Sequence, residues 1–238
     1  MRKWGFYLES DKNFLNCTLR EPSINHDEAI LYLHGWGGDM EVQSGLLDEL
    51  CLSGFYVLNF NQRGFNTSTG KRSLTSWHLD ASLLTNYLAD HGLRVWICGL
   101  STGGTMAIST MDINKRLAGG IIMSPFASLN QLFEDKPELR DRLHGIFGQF
   151  TESDYRAADA YSKVDNIPPR PMVFICGDAD VTIPSSHSRL LSHKAGESAT
   201  LVTVPWGDHI LSTIPPTQLA KMIIDWIARV KFRENSNP

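Results

Sequence analysis

The sequence contains few cysteines, no long hydrophobic run and no excess of one charge. Its four cysteines are scattered over 238 residues, so neither a CxxC redox motif nor a cysteine zinc site can be assembled from neighbours in the chain. The apolar runs, such as residues 30–33 and 121–123, are of strand length and far too short to cross a bilayer. Lys and Arg number 22 against 26 Asp and Glu, and this net charge of −4 gives no basic footprint for nucleic acid. These shortages exclude a disulfide-stapled mini-protein, and we expect no nucleic-acid partner and no stable membrane insertion.

The start of the chain does not look like an export signal. Residues 1–10 begin with basic side chains but lack the apolar run that precedes a signal-peptide cleavage site. We therefore expect a cytoplasmic protein whose four thiols are reduced, with Cys98 and Cys176 buried because they lie in apolar runs. Secretion by a route without a signal peptide is the alternative. The sequence leaves the oligomeric state open.

Apolar runs of strand length alternate with segments of helical periodicity along most of the chain. Such alternation predicts right-handed βαβ crossovers and an α/β fold, with a mostly parallel sheet covered by helices on both faces. The predicted strands are residues 3–8, 14–20, 29–33, 55–60, 93–98, 117–123, 172–176 and 200–204, and the predicted helices are residues 40–53, 77–88 (capped by Thr75 or Ser76), 102–111, 185–194 and 217–230.

The alternation is interrupted once, at about residues 127–170. Leucines and phenylalanines recur there among many charges, which predicts one or more amphipathic helices. The segment is too short for an independent domain and too long for a plain connection. We interpret residues 1–238 as a single domain in which this insertion forms a small helical lid, the alternative being an extra pair of surface helices.

A serine in a glycine-rich turn is the candidate nucleophile. Residues 99–104 read Gly-Leu-Ser-Thr-Gly-Gly and lie between a predicted strand and a predicted helix. This is the setting in which G-x-S-x-G forms a sharp, strained turn that projects the serine hydroxyl, because the glycines let strand and helix approach closely. The pattern predicts that Ser101 attacks the substrate.

A serine hydroxyl needs a neighbouring base, and that base needs an orienting acid. Of eight histidines we favour His209, which comes after the apolar strand at residues 200–204 and is thereby placed at the carboxyl edge of the sheet together with Ser101. The other seven lie in loops or helices: His26, His34, His78, His91, His144, His187 and His193. The acid should follow an intervening strand, where Asp178 and Asp180 are both available. We favour Asp180 because it lies further out in the loop, and expect Asp178 to hold the loop through its own backbone contacts.

These motifs resemble those of the α/β-hydrolase superfamily over nearly the whole chain. The order Ser101, Asp180, His209 matches the family order of nucleophile, acid and base. Residues 34–38 (His-Gly-Trp-Gly-Gly) are similar to the family's oxyanion loop, and residues 177–180 match its G-x-x-D acid signature. Residues 61–68 resemble its D-x-R-G-x-G-x-S loop, from which the asparagines at 61 and 66 depart. The overall pattern is most similar to small-lidded carboxylesterases, monoglyceride lipases and serine-aminopeptidase-like hydrolases.

The resemblance implies how the remaining parts of the site are built. The backbone N–H groups of Trp36 and Thr102 would form an oxyanion hole, and neither a metal ion nor an organic cofactor would be needed. The apolar side chains of the insertion suggest an apolar pocket, with Trp36, Phe126 and Trp206 as possible walls. The alternative for each of these side chains is ordinary core packing.

We expect a small-molecule partner, namely a carboxylic ester with a short- to medium-chain acyl or an aryl group. A serine-aminopeptidase-like peptidase would use the same three residues and would need a carboxylate in the lid, for which Glu134, Glu138 and Glu152 are available. A thioesterase, a C–C hydrolase or an acyltransferase is equally compatible with the motifs. A non-catalytic binding protein of the same fold is the alternative from a different class.

Overall fold

The secondary structure follows the predicted alternation. The computed structural model describes residues 1–24 and 27–236. The strands are β1 (Arg2–Ser10), β2 (Asn13–Glu21), β3 (Glu28–Leu33), β4 (Tyr56–Phe60), β5 (Arg94–Leu100), β6 (Leu117–Met123), β7 (Met172–Gly177) and β8 (Ala199–Val204). The helices are α1 (Ser44–Leu52), α2 (Leu74–Asp90), α3 (Thr102–Ile113), α4 (Leu129–Asp135), α5 (Glu138–Phe147), α6 (Glu152–Ala157), α7 (Ser186–Ala195) and α8 (Pro216–Ser236).

All eight strands belong to one sheet in the order β1-β2-β4-β3-β5-β6-β7-β8. The strands from β3 to β8 are parallel to one another, whereas β1 pairs antiparallel with β2 and β2 pairs antiparallel with β4. The predicted mostly parallel sheet is therefore confirmed. The carboxyl ends of β3, β4, β5, β7 and β8 lie along one edge, which is where parallel α/β sheets bind their ligands.

Hydrophobic cores fill both faces of the sheet. Successive residues of a strand point to opposite faces, and Leu31 of β3 packs in the core beneath α2 and α3, whereas Ile30 and Tyr32 pack in the core beneath α1 and α8. Every residue of β3 and β7 is buried, as expected for strands covered on both sides.

Several helix boundaries differ from those predicted. Residues 40–43 form a turn, so that α1 begins at Ser44 rather than at residue 40. Helix α2 is capped by Ser73, whose hydroxyl accepts hydrogen bonds from the backbone N–H groups of Thr75 and Ser76, the two residues that the sequence suggested as caps. Helix periodicity locates the buried face well but leaves the first turn to local hydrogen bonding.

The insertion (residues 127–170) contains α4, α5 and α6 and a 3₁₀ turn at Val164–Asn166. One of its attachments to the rest of the molecule is Asp154, whose carboxylate accepts hydrogen bonds from Ser73 and Thr75 at the start of α2 and from Thr151 at the start of α6. Phe147 of α5 stacks on Trp77 of α2. The insertion therefore packs on the face of the sheet that carries α2 and α3.

The four cysteines are free and buried, and for Cys98 and Cys176 the burial was predicted. Burial raises the pKa of the Cys17 thiol to about 12 and that of Cys51 to about 11, and it also raises the pKa values of Cys98 and Cys176. Among the described residues, no helix combines the length and the apolar character needed to span a membrane.

Candidate active site

Ser101 occupies a strained turn between β5 and α3. Its φ of 60° and ψ of −123° lie outside the regions that most side-chain-bearing residues adopt. A Cβ atom on Gly99 would lie 2.2 Å from the carbonyl oxygen of Gly103, and one on Gly103 would lie 2.2 Å from the carbonyl oxygen of Leu33. Both glycines are therefore required sterically for strand and helix to meet at this angle, as the motif predicts.

A chain of two hydrogen bonds joins Ser101, His209 and Asp180. The Oγ atom of Ser101 lies 2.9 Å from Nε2 of His209, and Nδ1 of His209 lies 2.7 Å from Oδ2 of Asp180. The second oxygen of Asp180 accepts hydrogen bonds of 2.9 Å from the backbone N–H groups of Thr182 and Ile183. Asp180 is buried, so its carboxylate is held in one orientation toward the imidazole.

Asp178 does not contact the imidazole but supports the loop that carries it. Its Oδ1 accepts a hydrogen bond of 2.5 Å from the backbone N–H of Trp206, which adopts a positive φ of 58°. The two loops also touch at Gly177 and Gly207, where a Cβ on Gly177 would lie 2.0 Å from the Gly207 carbonyl oxygen. The ends of β7 and β8 are thereby locked together, which brings the loop of Asp180 next to that of His209.

The loop at residues 34–38 lies directly against the serine. A Cβ atom on Gly35 would come within 3.2 Å of Cβ of Ser101. The indole of the following residue, Trp36, is almost fully buried and stacks on His209 with ring centroids 6.1 Å apart. The backbone N–H of Trp36 and that of Thr102, the first residue of α3, thus belong to segments that flank Ser101. At a helix N-terminus the backbone dipoles favour negative charge.

His34 holds this loop in place through both ring nitrogens. Its Nδ1 lies 2.6 Å from the carbonyl oxygen of Gly35, and the backbone N–H of Gln62 is 3.4 Å from its Nε2. Burial lowers the pKa of His34 to about 4. The ring is therefore neutral near pH 7, donating from Nδ1 and accepting at Nε2.

The two asparagines that depart from the resembled motif are hydrogen-bonded to each other. Asn66 donates from Nδ2 to Oδ1 of Asn61 at 3.1 Å and to the carbonyl oxygen of Gly38 at 2.5 Å. Asn66 adopts a positive φ of 46°, which asparagine tolerates better than most residues. The pair therefore replaces the expected side chains with a direct link between the loop at residues 61–68 and the loop at residues 34–38.

The predicted pocket walls lie in different surroundings. Phe126 has no exposed surface and packs in the core beneath α2 and α3, so it does not line an open pocket; ordinary core packing accounts for it. Trp206 is 83% exposed beside the loop of His209, and its role as a wall stays a prediction.

The other histidines are not brought to the serine in the part of the chain that is described. His187 is buried at the start of α7, where its Nδ1 accepts from the backbone N–H of Ala127, and His193 lies in the last turn of that helix. His26 lies outside the described residues. Sequence reasoning did not identify the Asn61–Asn66 pair, because a hydrogen bond between two positions of one irregular loop leaves no periodic signal.

Comparison with known proteins gives a family and a set of structural relatives. The model of the family described as serine aminopeptidase, S33, matches residues 24–154. The uncharacterised protein YfhR of Escherichia coli K12 is 28% identical over 199 residues, which cover 79% of this chain and 65% of YfhR. The uncharacterised protein Rv2307c of Mycobacterium tuberculosis is 24% identical over 187 residues, or 76% of this chain and 62% of that protein. This chain therefore spans somewhat less than two thirds of the length of these curated relatives.

Two solved structures illustrate the fold that this chain shares. Est1E from Butyrivibrio proteoclasticus, determined with ferulic acid bound, superposes with a TM-score of 0.75 at 18% identity, covering 94% of this chain and 98% of Est1E. The esterase Pf2001 of Pyrococcus furiosus gives a TM-score of 0.78 at 16% identity, covering 96% of this chain and 90% of Pf2001. At these identities the likeness establishes the α/β-hydrolase fold.

Proposed function

The chain belongs to the serine aminopeptidase S33 family of α/β-hydrolases, and on that premise we propose that it hydrolyses carboxylic esters through an acyl-enzyme formed on Ser101. The observation that carries the proposal is the hydrogen-bonded chain from Ser101 through His209 to Asp180. This is the arrangement in which a base activates a hydroxyl while a buried carboxylate orients the base.

In the first half-reaction, Oγ of Ser101 bonds to the ester carbonyl carbon and its proton passes to Nε2 of His209. Asp180 accepts the hydrogen bond from Nδ1 and stabilises the imidazolium without taking its proton. The tetrahedral oxyanion then collapses, the bond between the carbonyl carbon and the alcohol oxygen breaks, and the alcohol leaves with the proton from His209. In the second half-reaction water gives a proton to His209 and attacks the acyl group. The acid is released and Ser101 recovers its proton.

The backbone N–H groups of Trp36 and Thr102 stabilise the oxyanion in this mechanism. Supporting observations are the contact of Gly35 with Ser101 and the position of Thr102 at the start of α3. Preorganised donors of this kind contribute roughly 3–4 kcal/mol each to the lowering of the barrier. Because they belong to the main chain, replacing the side chain of either residue tests them poorly.

An ester is favoured over an aminoacyl substrate by the positions of three glutamates. An aminopeptidase needs a carboxylate that faces the substrate amine, whereas Glu134, Glu138 and Glu152 are all exposed on the insertion. Glu152 also pairs with Arg156 in its own helix. The esterase Pf2001 among the structural relatives supports the same choice, and the ferulic acid bound to Est1E draws attention to aryl acyl groups as well as alkyl ones.

The test begins with p-nitrophenyl butyrate and a fluorophosphonate probe. The wild-type protein should hydrolyse the ester and be labelled once, at Ser101, whereas Ser101→Ala should lose both properties and keep the wild-type circular dichroism spectrum. Near-normal hydrolysis by Ser101→Ala would refute the assignment. Absence of both hydrolysis and labelling in the wild type would favour a non-catalytic binding protein.

A second comparison separates ester from amide, thioester and acyl-transfer chemistry. We expect kcat/KM for p-nitrophenyl esters to exceed that for aminoacyl-naphthylamides and acyl thioesters of equal acyl length. We also expect added alcohols not to divert the acyl group from water. Faster cleavage of the naphthylamides would identify an aminopeptidase instead.

A further inference from the structure

A cavity of about 220 Å³ opens beside the loop that carries His209. One wall is formed by the start of α1 and the turn before it, including Val42 and Leu46. The other is formed by the residues that follow His209 and by the start of α8, including Ile210 and Leu219. A hydrogen bond of 2.8 Å from Nε2 of Gln43 to the carbonyl oxygen of Ile210 links the two walls.

The lining is mainly aliphatic, and part of it is exposed. Leu46 and Leu219 are buried, whereas Val42 is 51% and Ile210 is 40% exposed. Two partly exposed aliphatic side chains facing each other across a cavity gain free energy when an apolar group covers them. Since water occupies roughly 30 Å³ per molecule in the liquid, the cavity has room for a chain or ring of about seven non-hydrogen atoms.

The cavity lies on the opposite side of the sheet from the insertion. The leucines of α1 and α8 belong to the core that contains Ile30 and Tyr32, whereas Leu129 and Phe133 of the insertion belong to the core that contains Leu31. Because neighbouring residues of β3 point to opposite faces, these cores lie on the two sides of the sheet. Ser101 lies at the strand ends between these two faces, and Ile210 brings one wall of the cavity next to His209.

The chemistry of the second proton transfer decides which half of the ester faces the cavity. His209 must give its proton to the alcohol oxygen, so the alcohol lies against the imidazole when the bond to the acyl carbon breaks. The cavity is lined by Ile210, the residue next to His209 in the chain. We propose that this cavity binds the alcohol part of the ester, which is an aliphatic or benzylic group of about four to seven carbon atoms. The inference rests on the proposed ester hydrolysis and specifies its leaving group.

The experiment compares two series of esters. The first keeps the acetyl group and varies the alcohol through methyl, n-butyl, n-hexyl and benzyl acetate. The second keeps methanol and varies the acyl group through methyl acetate, butyrate and hexanoate. In the first series we expect kcat/KM of the wild type to rise about fourfold per methylene up to the capacity of the cavity.

Two variants of Val42 test the cavity itself. Val42→Trp places a bulky ring at the rim and should lower the ratio of kcat/KM for hexyl over methyl acetate at least tenfold, and Val42→Ala should lower the same ratio less. Neither should alter the ratio of methyl hexanoate over methyl acetate. The matched control is Leu52→Trp, which adds the same ring to an aliphatic side chain 65% exposed at the far end of α1 and should keep both ratios at their wild-type values.

The outcomes distinguish the two proposals. If Ser101 is labelled and the esters are hydrolysed but the alcohol ratio is flat, or is the same in Val42→Trp and the wild type, the cavity proposal is wrong and ester hydrolysis stands. A change in the acyl ratio alone would assign the cavity to the acyl group and also overturn the proposal. If the wild type hydrolyses no ester of either series and Ser101 is not labelled, both proposals fail.

Discussion

Asp178 and Asp180 lie two residues apart in one loop, yet they contact different groups. Asp180 is bonded to the imidazole of His209, and Asp178 is bonded to the backbone N–H of Trp206, three residues before that histidine. The second contact holds Trp206 in a left-handed conformation that its side chain disfavours. Asp178 is therefore a positioning residue, since it affects the base only through the path of the loop.

Replacing Asp178 by alanine should lower kcat for p-nitrophenyl butyrate about tenfold and change KM little, because small displacements of a catalytic group cost rate. Asp178→Asn keeps an acceptor oxygen and should stay within about twofold of the wild type. Steady-state kinetics of the two variants beside Asp90→Ala, an exposed aspartate of α2, provides the measurement. Equal loss in the alanine and asparagine variants would mean that the charge of Asp178, and not its hydrogen bond, matters.

The low pKa of His34 makes the folded state sensitive to acid. Burial lowers this pKa from 6.5 to about 4, so between these values the unfolded chain binds a proton that the folded protein does not. Stability contributed by the neutral ring is present above pH 6.5 and is lost as the pH falls toward 4. From pH 7 to pH 5 the loss amounts to about 2 kcal/mol.

Urea unfolding at the two pH values measures this effect. The variant His34→Gln lacks the titrating ring, and its free energy of unfolding should fall by about 2 kcal/mol less than that of the wild type over the same interval. The comparison is between differences, so an overall destabilisation of the variant does not affect it. Identical decreases in the two proteins would show that His34 is not the group responsible.

Residue patterns predicted those side chains whose chemistry demands a particular place in the chain. Ser101, Asp180 and His209 each follow a strand that can be recognised from its apolar residues, and the structure brings the three within hydrogen-bonding distance of each other. The bond between Asn61 and Asn66 was beyond reach, because a hydrogen bond between two positions of an irregular loop depends on backbone torsions. Phe126 lies in the core and not at a pocket wall. The sequence could not distinguish the two, because a phenylalanine near a strand end is compatible with either place.

At the scale of elements, one buried carboxylate links the insertion to the start of α2. Asp154 caps its own helix α6 together with Thr151 and also accepts hydrogen bonds from Ser73 and Thr75 at the start of α2. Burial by itself would raise the pKa of Asp154, but the hydrogen bonds outweigh it and the pKa is lowered. Its contribution to stability is therefore complete above about pH 4 and is lost as the pH falls through the folded pKa.

Asp154→Ala should reduce the free energy of unfolding by about 2–3 kcal/mol, since two helix starts lose an acceptor together. Urea denaturation at pH 7 measures the loss, and Asp154→Asn should recover part of it. Asp141→Ala, at an exposed position of α5, is the control and should cost less than about 0.5 kcal/mol. A loss below about 1 kcal/mol for Asp154→Ala would mean that the insertion is held mainly by its apolar contacts.

The number and type of the elements could be predicted more reliably than their ends. Buried strands such as β7 can be recognised directly as short apolar runs. The start of α2, by contrast, depends on which of Ser73, Thr75 and Ser76 caps the helix. Three neighbouring hydroxyl side chains offer three caps, and tertiary contacts select one. In this protein the selection is made by Asp154, which lies 81 residues further along the chain from Ser73.

At the scale of the whole molecule, strand order was beyond the reach of sequence patterns. The alternation of strands and helices predicts parallel neighbours, but nothing local indicates that β2 pairs with β4 and leaves β3 between β4 and β5. Sheet order depends on contacts between distant parts of the chain. The resemblance to a known superfamily supplied what the patterns could not.

The buried cysteines are distributed so that they can report on the integrity of the entire sheet. Cys17 lies in β2, Cys51 in α1, Cys98 in β5 and Cys176 in β7, and burial keeps each thiol from ionising. Only a thiolate reacts with an alkylating reagent. In a single cooperative domain, iodoacetamide at intermediate urea concentrations should give only unmodified and fourfold-modified chains in the mass spectrum. Abundant one- to three-label species would reveal separately unfolding parts.

Because all four thiols are buried, alkylation can also measure how much of a preparation is folded. A preparation in which every molecule is folded carries no alkylatable sulfur, so a single mass measurement after brief iodoacetamide treatment gives the fraction of misfolded chains. That fraction can be determined for each variant before any rate is compared. A loss of turnover can then be divided into a lower rate of the folded enzyme and a smaller fraction of folded enzyme.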